Sequence, residues 1–243
     1  MSSELWGVVV ASLDPTMLGR WWADALGWEF TVDTDGDAVV SNADPTVPTL
    51  LFERAGDAKS PAKNRVHLDL ASQSDADATA IVDRLVAVGA ARVDIGQSAV
   101  PWTVLIDPEG NEFCVLEPRD RSIDAGTLAA IVIDANDPEL VGRFWQAATG
   151  WSIAARGEDG VSLHRPNGAP PDLDVVRVPD AKQVKNRAHL DVTPGPGAIQ
   201  SDEVARLIAL GATPCDVGQG STVSWVVLAD PEGNEFCVLQ GAS

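Results

Sequence analysis

The pattern of apolar and polar residues divides the chain into short strands and amphipathic helices. An apolar run over residues 5–12 predicts a buried strand, and Asp14 and Pro15 then supply an N-cap residue and a proline suited to the first helical turn. Apolar residues recur at helical spacing up to Gly27, which ends the predicted helix. Three short strands follow, over residues 29–32, 38–41 and 50–54. The predicted order is one strand, one helix and three strands.

The same order of elements recurs three more times along the chain. The second run has a strand over 66–70, a helix over 74–88, and strands over 92–95, 102–106 and 112–117. The third run opens at Leu128 and has its helix from Asp137 and Pro138. The fourth opens at Ala188, with a helix over 201–210. The pattern therefore predicts four βαβββ units.

The two halves of the chain repeat each other in sequence. The ten residues 107–116 read DPEGNEFCVL, and the same ten letters return at 230–239, 123 positions later. The string KNR-x-HLD stands at 63–69 and again at 185–191. This indicates a tandem duplication of a unit of about 120 residues, joined over residues 119–126.

These motifs resemble the vicinal oxygen chelate superfamily, and in particular its glyoxalase-like branch. That superfamily includes glyoxalase I, bleomycin-resistance proteins, fosfomycin-resistance enzymes and extradiol dioxygenases. The resemblance implies an α+β fold in which four βαβββ units form two glyoxalase-like domains, each a cupped mixed β-sheet with helices outside. The expected domains are 1–120, with units 4–54 and 64–118, and 127–243, with units 127–178 and 186–241. We expect the two units of each half to pair, so that each half holds its own cup.

Composition and charge narrow the classes of function. The 243 residues are 45% hydrophobic, which is too apolar for disorder, and the chain contains no apolar run long enough to cross a bilayer. Acidic residues outnumber basic ones by 36 to 17, a formal net charge of -19. Such a surface disfavours nucleic acid and anionic membranes and favours a cationic or neutral small ligand. The simpler interpretation is that acidic surfaces keep soluble proteins apart.

Cysteine usage and the first residues suggest a cellular compartment. Three cysteines are too few, and odd in number, for a disulfide framework. The segment after Met1 has no basic n-region and no small-residue cleavage site. We therefore expect no signal peptide and a cytoplasmic protein.

Strand alternation places a polar set on the inner face of each cup. In the strand over 66–70 the aliphatic residues share one face, so His67 and Asp69 share the other. In the last strand of that half, Glu112 and Cys114 face the same way. The second half gives the corresponding residues His189, Asp191, Glu235 and Cys237.

The resemblance implies a divalent metal, and the residues present match its ligand positions poorly. His67 and His189 stand where the family's enzymes place a metal histidine. The family's closing glutamate is replaced by Cys114 and by Cys237, and a thiolate is a softer ligand than the family's oxygen and nitrogen donors. Glu112 and Glu235 come two residues early, about 7 Å along the strand. The opening strands offer no donor side chain at residues 5–7 or 128–130.

We therefore predict a degenerate site without a metal, and the cofactor remains unknown. Glu53 and Asp174 are the further candidate ligands, with uncertain strand parity. A divalent metal stays an alternative. Two other interpretations of the histidines remain open: a hydrogen bond to Asp69, Asp191 or a backbone carbonyl, and direct contact with a ligand.

Other side chains admit two interpretations each. Trp102 and Trp225 either pack in the core or line an aromatic cup suited to a flat or cationic ligand. Arg65 and Arg187 either clamp an anionic group or form a salt bridge between loop and strand. The repeated cysteine is expected to be a small buried hydrophobic residue.

The favoured hypothesis is a glyoxalase-like protein that binds a small organic ligand, cationic or aromatic, in the cup. The alternative is a metal-dependent lyase, isomerase or dioxygenase, and a third possibility is a scaffold for protein partners. We expect no nucleic-acid or membrane partner and either a monomer or a homodimer. The predicted ligand-binding residues are His67, Asp69, Trp102, Glu112, Cys114, His189, Asp191, Trp225, Glu235 and Cys237.

Overall fold

The computed structural model describes residues 2–97, 100–118, 127–218, 220 and 223–241. The predicted junction between the halves, 119–126, lies outside the described residues. Among the helices that are described, none has the length and apolar content that crossing a bilayer requires.

The described elements follow the predicted order in all four units. The first unit consists of β1 (Glu4–Ser12), α1 (Pro15–Leu26), β2 (Glu29–Val32), β3 (Ala38–Ser41) and β4 (Thr49–Arg54). The second consists of β5 (Val66–Leu70), α2 (Asp75–Ala87), β6 (Ala91–Arg92), β7 (Trp102–Ile106) and β8 (Glu112–Leu116). The third consists of β9 (Leu128–Ala135), α3 (Pro138–Thr149), β10 (Ser152–Arg156), β11 (Gly160–His164) and β12 (Asp172–Arg177). The fourth consists of β13 (Ala188–Thr193), α4 (Gln200–Ala209), β14 (Thr213–Pro214), β15 (Val226–Ala229) and β16 (Glu235–Val238).

The prediction of four βαβββ units is confirmed, and most boundaries agree within two residues. The strand predicted over 92–95 is the exception, since β6 ends at Arg92. Local chemistry explains the helix ends. The Asp14 side chain accepts a hydrogen bond from the backbone N–H of Met17, and Gly27 adopts the left-handed conformation at φ 68° that ends α1.

The strands form two eight-stranded mixed sheets. The first sheet has the order β2-β3-β4-β1-β13-β16-β15-β14, and the second has the order β6-β7-β8-β5-β9-β12-β11-β10. At the centre of the first sheet β1 runs antiparallel to β13, with Val9 opposite His189. At the centre of the second, β5 runs antiparallel to β9, with His67 opposite Val132. The α+β class is confirmed.

The expectation that each half forms its own cup is wrong, because each sheet takes one unit from each half. The first sheet joins the first and fourth units, and the second sheet joins the second and third. Within a half, consecutive units pack through their helices instead. The indole of Trp22 in α1 lies 5.2 Å from the ring of Phe113 in β8, and Trp145 in α3 lies 5.3 Å from Phe236 in β16. This packing leaves the edges of β1 and β5 free to pair with the other half. The domain boundaries stay a prediction.

The core lies on the helix side of both sheets. Val66, Leu68 and Leu70 belong to one apolar cluster that also includes residues of all four helices. His67 and Asp69 alternate with them and point to the opposite face, which we call the cup face. The strand alternation inferred from the sequence therefore sets the direction of the histidines.

The repeated DPEG turn fastens the units together. Glu109 accepts hydrogen bonds from the backbone N–H groups of Leu13 and Asp14 and from the Ser12 hydroxyl, just before α1. Its carboxylate also lies 3.1 Å from the guanidinium of Arg187, in the fourth unit. Glu232 makes the corresponding contacts with residues 136 and 137 and with Arg65.

Candidate ligand-binding site

The first sheet carries a cavity of about 620 Å³ on its cup face. The fourth unit contributes five of the residues predicted from the sequence, namely His189, Asp191, Trp225, Glu235 and Cys237. The first unit supplies the opposite wall, which includes Trp6, Val9, Leu51 and Glu53. The structure thus brings half of the predicted residues into one cavity, although ligand binding by them stays a prediction.

His189 stands at the centre of a polar cluster on this wall. Its Nε2 lies 3.4 Å from the sulfur of Cys237 and 3.3 Å from Oδ1 of Asp191. The Asp191 side chain is only 7% exposed, and its Oδ1 has no hydrogen-bond partner among the described residues. Burial, together with the charge of Asp191, raises the pKa of the Cys237 thiol, which is therefore protonated at neutral pH. The Asp191 carboxylate is therefore buried against the His189 imidazole and the Cys237 thiol.

Glu53 adds a second carboxylate to the same cavity. Its side chain is half-buried on β4 and has no hydrogen bond or ion pair among the described residues. Burial raises the pKa of Glu53, and the nearby His189 lowers it in part. The sequence suggested Glu53 only as a metal ligand of uncertain parity, and β4 turns it toward the cup.

The mouth of the cavity is acidic. Asp33, Asp35 and Asp37 lie on the turn between β2 and β3, where Oδ1 of Asp33 accepts the backbone N–H groups of the other two. Including the inner wall, six acidic residues and one lysine line the cavity. That lysine, Lys185, is exposed at the rim, where solvent screens its charge. Asp33 and Asp35 are exposed and screened in the same way, and Glu235 is paired with Lys182, so the preference of the cavity for positive charge is weak.

The second sheet has a charge network at the position of this cluster. His67 Nδ1 lies 3.2 Å from Asp69 Oδ1, and Nε2 lies 3.7 Å from Asp134 Oδ1. Lys63 Nζ lies 2.5 Å from Asp134 Oδ2. Burial alone would lower the pKa of His67, but the carboxylates of Asp134 and Asp69 outweigh it and raise this pKa to about 9. His67 is therefore a buried cation paired with two carboxylates.

Apolar side chains pack over the rest of the second cup. Cys114, Leu116, Val104 and Ala129 form a small apolar cluster, with Trp102 against it. Burial raises the pKa of Cys114 above its usual value. A hollow of about 280 Å³ beside β6 and β7 is lined by Trp102 but not by His67, Asp69 or Cys114. Among the described residues, Trp102 is thus separated from His67, Asp69 and Cys114, which do not line this hollow.

Glu112 and Glu235 are held in salt bridges. Glu112 lies 2.9 Å from Lys59 Nζ and accepts the backbone N–H of Asn64. Glu235 lies 2.6 Å from Lys182 Nζ and accepts the N–H of Asn186. Both glutamates thus anchor the segment before the histidine strand, and their contact with a ligand stays a prediction.

Arg65 and Arg187 form salt bridges, as one of the two interpretations of the sequence proposed. Arg65 lies 3.2 Å from Glu232, and Arg187 lies 3.1 Å from Glu109. Neither arginine is among the residues that line the first-sheet cavity.

Two groups of side chains have donor atoms close enough together to hold a metal ion. In each sheet the imidazole, carboxylate and sulfur donors lie within 4.8 Å of one another, as His67–Asp69–Cys114 and as His189–Asp191–Cys237. The second-sheet set is the poorer candidate, because His67 already lies between the carboxylates of Asp69 and Asp134, and an ion would have to displace the proton that it shares with them. The first-sheet set fits an ion that accepts mixed donors, such as Zn²⁺, which would displace the proton of the Cys237 thiol on binding. The sequence analysis placed Asp69 and Asp191 on the inner face beside the histidines, as ligand-binding residues and hydrogen-bond partners, but did not count them among the metal ligands.

Comparison with known proteins supports the fold. The model of the glyoxalase-like domain matches residues 7–116 and again 130–239. Glyoxalase I from Zea mays superposes with a TM-score of 0.70 at 14% identity, covering 98% of this chain and 92% of that one. A putative dioxygenase from Bacillus subtilis superposes with a TM-score of 0.61 at 12% identity, covering 98% and 85%. No curated protein matches the chain significantly. Identities this low show the fold alone, and the predicted pair of glyoxalase-like domains is confirmed.

Proposed function

Because the chain belongs to the glyoxalase-like domain family, we propose that it binds a small organic ligand in the first-sheet cup, at a degenerate metal site. One observation carries the proposal: the two cups have diverged. In the first, His189, Asp191 and Glu53 line an open cavity of about 620 Å³. In the second, Asp134 lies 3.7 Å from His67 and is itself paired with Lys63.

The size and lining of the first cup support a small-molecule site. Pockets for small ligands usually measure about 300–1,000 Å³ and combine apolar walls with a few polar groups. Trp6 and Trp225 offer indole surface, and Trp225 is 37% exposed. Binding alone suffices for a protective role of the bleomycin-resistance kind, and the acidic lining suits a cation.

We also propose a cellular compartment and an oligomeric state for the protein. Three free cysteines suit a reducing cytoplasm. Both sheets are complete within one chain, which favours a monomer over a homodimer.

A fragment screen tests the proposal. We would titrate neutral, anionic and cationic aromatic fragments and follow the fluorescence of the indoles and the thermal unfolding temperature. Binding should disappear in Leu51→Trp, which fills the cup, and persist in Val39→Trp. Val39 pairs with Leu51 across β3 and β4 on the same face but does not line the cavity. If no fragment of any charge binds, or if both variants bind equally well, the proposal is overturned.

A metal-dependent lyase, isomerase or dioxygenase is the second candidate, favoured by the three donors of the first cup. His189, Asp191 and Cys237 would hold the ion, which would act as a Lewis acid on a substrate oxygen. If the site is degenerate, protein purified without chelator should contain far less than one metal ion per chain. Elemental analysis showing one ion per chain, lost in His189→Ala, would favour the enzyme instead.

A further inference from the structure

The central strand pair of each sheet contains a β-bulge, and the residue at the bulge differs between the two cups. In β1 the pairing with β13 shifts between Leu5 and Gly7, which leaves Trp6 as the extra residue. In β9 the pairing with β5 skips Ala129, which is the repeat counterpart of Trp6, 123 positions later. A bulge redirects the extra side chain, and here both point into a cup, since Trp6 lines the first cavity and Ala129 belongs to the apolar cluster of the second cup.

The neighbours of the bulge residue are the same in both cups but are packed differently. In the second cup Ala129 lies in one apolar cluster with the side chains of Val104, Cys114 and Leu116, and Trp102 packs against it. The counterparts of these four neighbours in the first cup are identical in residue type, and all of them line the open cavity, namely Val227, Cys237, Leu239 and Trp225. Among these five positions only the bulge residue differs between a packed cup and an open one.

The pairing of the last two strands also ends earlier in the first cup. In the second sheet Trp102 on β7 pairs with Leu116 on β8. In the first sheet the corresponding residues, Trp225 and Leu239, lie just outside the pairing of β15 with β16. Trp225 is 37% exposed, and Leu239 is half-buried although Leu116 is buried. The indole opposite Trp6 is therefore displaced from the position that its counterpart takes.

We propose that Trp6 determines the specificity of the first cup: it keeps Trp225 away from the sheet, and the two indoles bind a flat aromatic group of the ligand. This inference rests on the proposed function, since it assigns a ligand class to the same cup. Alanine at the bulge leaves space for Trp102 to pack on its cluster, whereas the indole of Trp6 fills the equivalent space. Aromatic contacts contribute more than the burial of their area, so a flat ring gains from both indoles.

Two probes with the same skeleton separate aromatic contact from apolar burial. The first, 2-naphthamide, is flat. The second, trans-decahydronaphthalene-2-carboxamide, has the same rings fully saturated, so it is not flat and carries more apolar surface. Isothermal titration should show 2-naphthamide binding about tenfold more tightly, since each indole contact contributes roughly threefold. A cavity that only buries apolar surface would bind the saturated probe at least as tightly.

Substitutions at the bulge separate the two roles of Trp6. Trp6→Leu removes the ring but keeps a branched apolar side chain, so the preference for the flat probe should fall to about threefold. Trp6→Ala places the residue of the second cup in the first, so Trp225 should pack on the sheet and both probes should bind at least about tenfold more weakly. The second sheet holds alanine at this position, so the fold accommodates it.

Hydroxyl-radical footprinting with peptide mass spectrometry measures the exposure of each tryptophan without a ligand. Trp225 should be oxidised readily in the native chain, and in Trp6→Ala its oxidation should fall to the level of Trp102. Trp28→Ala is the matched control, because Trp28 is partly buried, as Trp6 is, but does not line the cavity. It should change neither the oxidation of Trp225 nor the two affinities.

Several results would overturn the inference. Unchanged oxidation of Trp225 in Trp6→Ala would show that Trp6 does not hold it away from the sheet, and equal affinity of the native chain for the two probes would show that flat rings are not preferred. An equal effect of Trp28→Ala would show that the loss of any indole loosens the cup. If the fragment screen finds ligands for the cup but the flat probe is not preferred, the inference fails while the proposed function stands.

Discussion

The buried cation at His67 makes the stability of the protein depend on pH. The folded pKa of about 9 lies above the ordinary histidine pKa of 6.5, so the folded state holds the proton more tightly than the unfolded chain. The resulting stabilisation is complete below pH 6.5 and is lost as the pH rises through 9. We expect the free energy of unfolding to fall by up to about 3 kcal/mol over this window.

Urea unfolding at several pH values measures this effect. His67→Gln should flatten the dependence between pH 6.5 and pH 9, because it removes the titrating ring. His189→Gln is the control, since it leaves the contacts of His67 with Asp69 and Asp134 intact. An unchanged slope in His67→Gln would show that His67 does not hold its proton in this way.

The three cysteines should differ in their reactivity toward alkylating reagents. Cys114 and Cys237 are buried and have raised pKa values, whereas Cys215 is half-exposed. Burial also raises the pKa of Cys215, so its reaction should be slow but should precede that of the other two. Timed iodoacetamide labelling with peptide mass spectrometry checks the order. Early modification of Cys237 would mean that the cup exposes a reactive thiol.

At the scale of elements, the repeated DPEG turn connects the start of a helix to another unit of the chain. Glu109 accepts three hydrogen bonds at the start of α1 and contacts Arg187. Glu109→Ala should lower the free energy of unfolding by about 1–3 kcal/mol, because it leaves the buried Ser12 hydroxyl and the nearly buried charge of Arg187 without their partner. Chemical denaturation provides the measurement.

The matched control is Glu139→Ala, which removes two exposed ion pairs, with Arg143 and with Arg156. Exposed pairs contribute little, so this change should be negligible. Equal effects of the two substitutions would argue against a special role for the turn. The same comparison can be made with Glu232 at the start of α3.

At the scale of the whole molecule, neither half can complete a sheet alone. A fragment of residues 1–120 would expose the edges of β1 and β5, whose partners β13 and β9 lie in the second half. Because β13 is the repeat counterpart of β5, two copies of the fragment can pair β1 with β5 reciprocally. We expect a homodimer, which light scattering after size exclusion would detect.

A second experiment mixes the fragment of residues 1–120 with a fragment of residues 121–243. The two should form a one-to-one complex with the sheets of the intact chain. A stable monomer of 1–120 would show that the sheet edges need no partner, and that the predicted domain folds independently.

Much of the fold could be predicted from the sequence because its signals are local. Asp14 and Gly27 bound α1 in the structure as expected, since capping depends on neighbouring backbone groups. Alternation along residues 66–70 assigned His67 and Asp69 to one face for the same reason. Strand 92–95 was overestimated because a β-propensity pattern does not reveal where pairing with β7 stops.

The sequence by itself determined the four βαβββ units, their duplication and the residues on each inner face, because periodicity, caps and turns act over a few residues. Only the tertiary structure decided that the sheets join units from different halves, since pairing of β1 with β13 is a long-range contact. It also decided how the cups differ. Asp134 reaches His67 across the β5–β9 pair, while alanine stands at the matching position near His189 and Glu53 turns into the open cup. Two nearly identical sequence motifs thus have different surroundings, because the contacts that distinguish them come from distant strands.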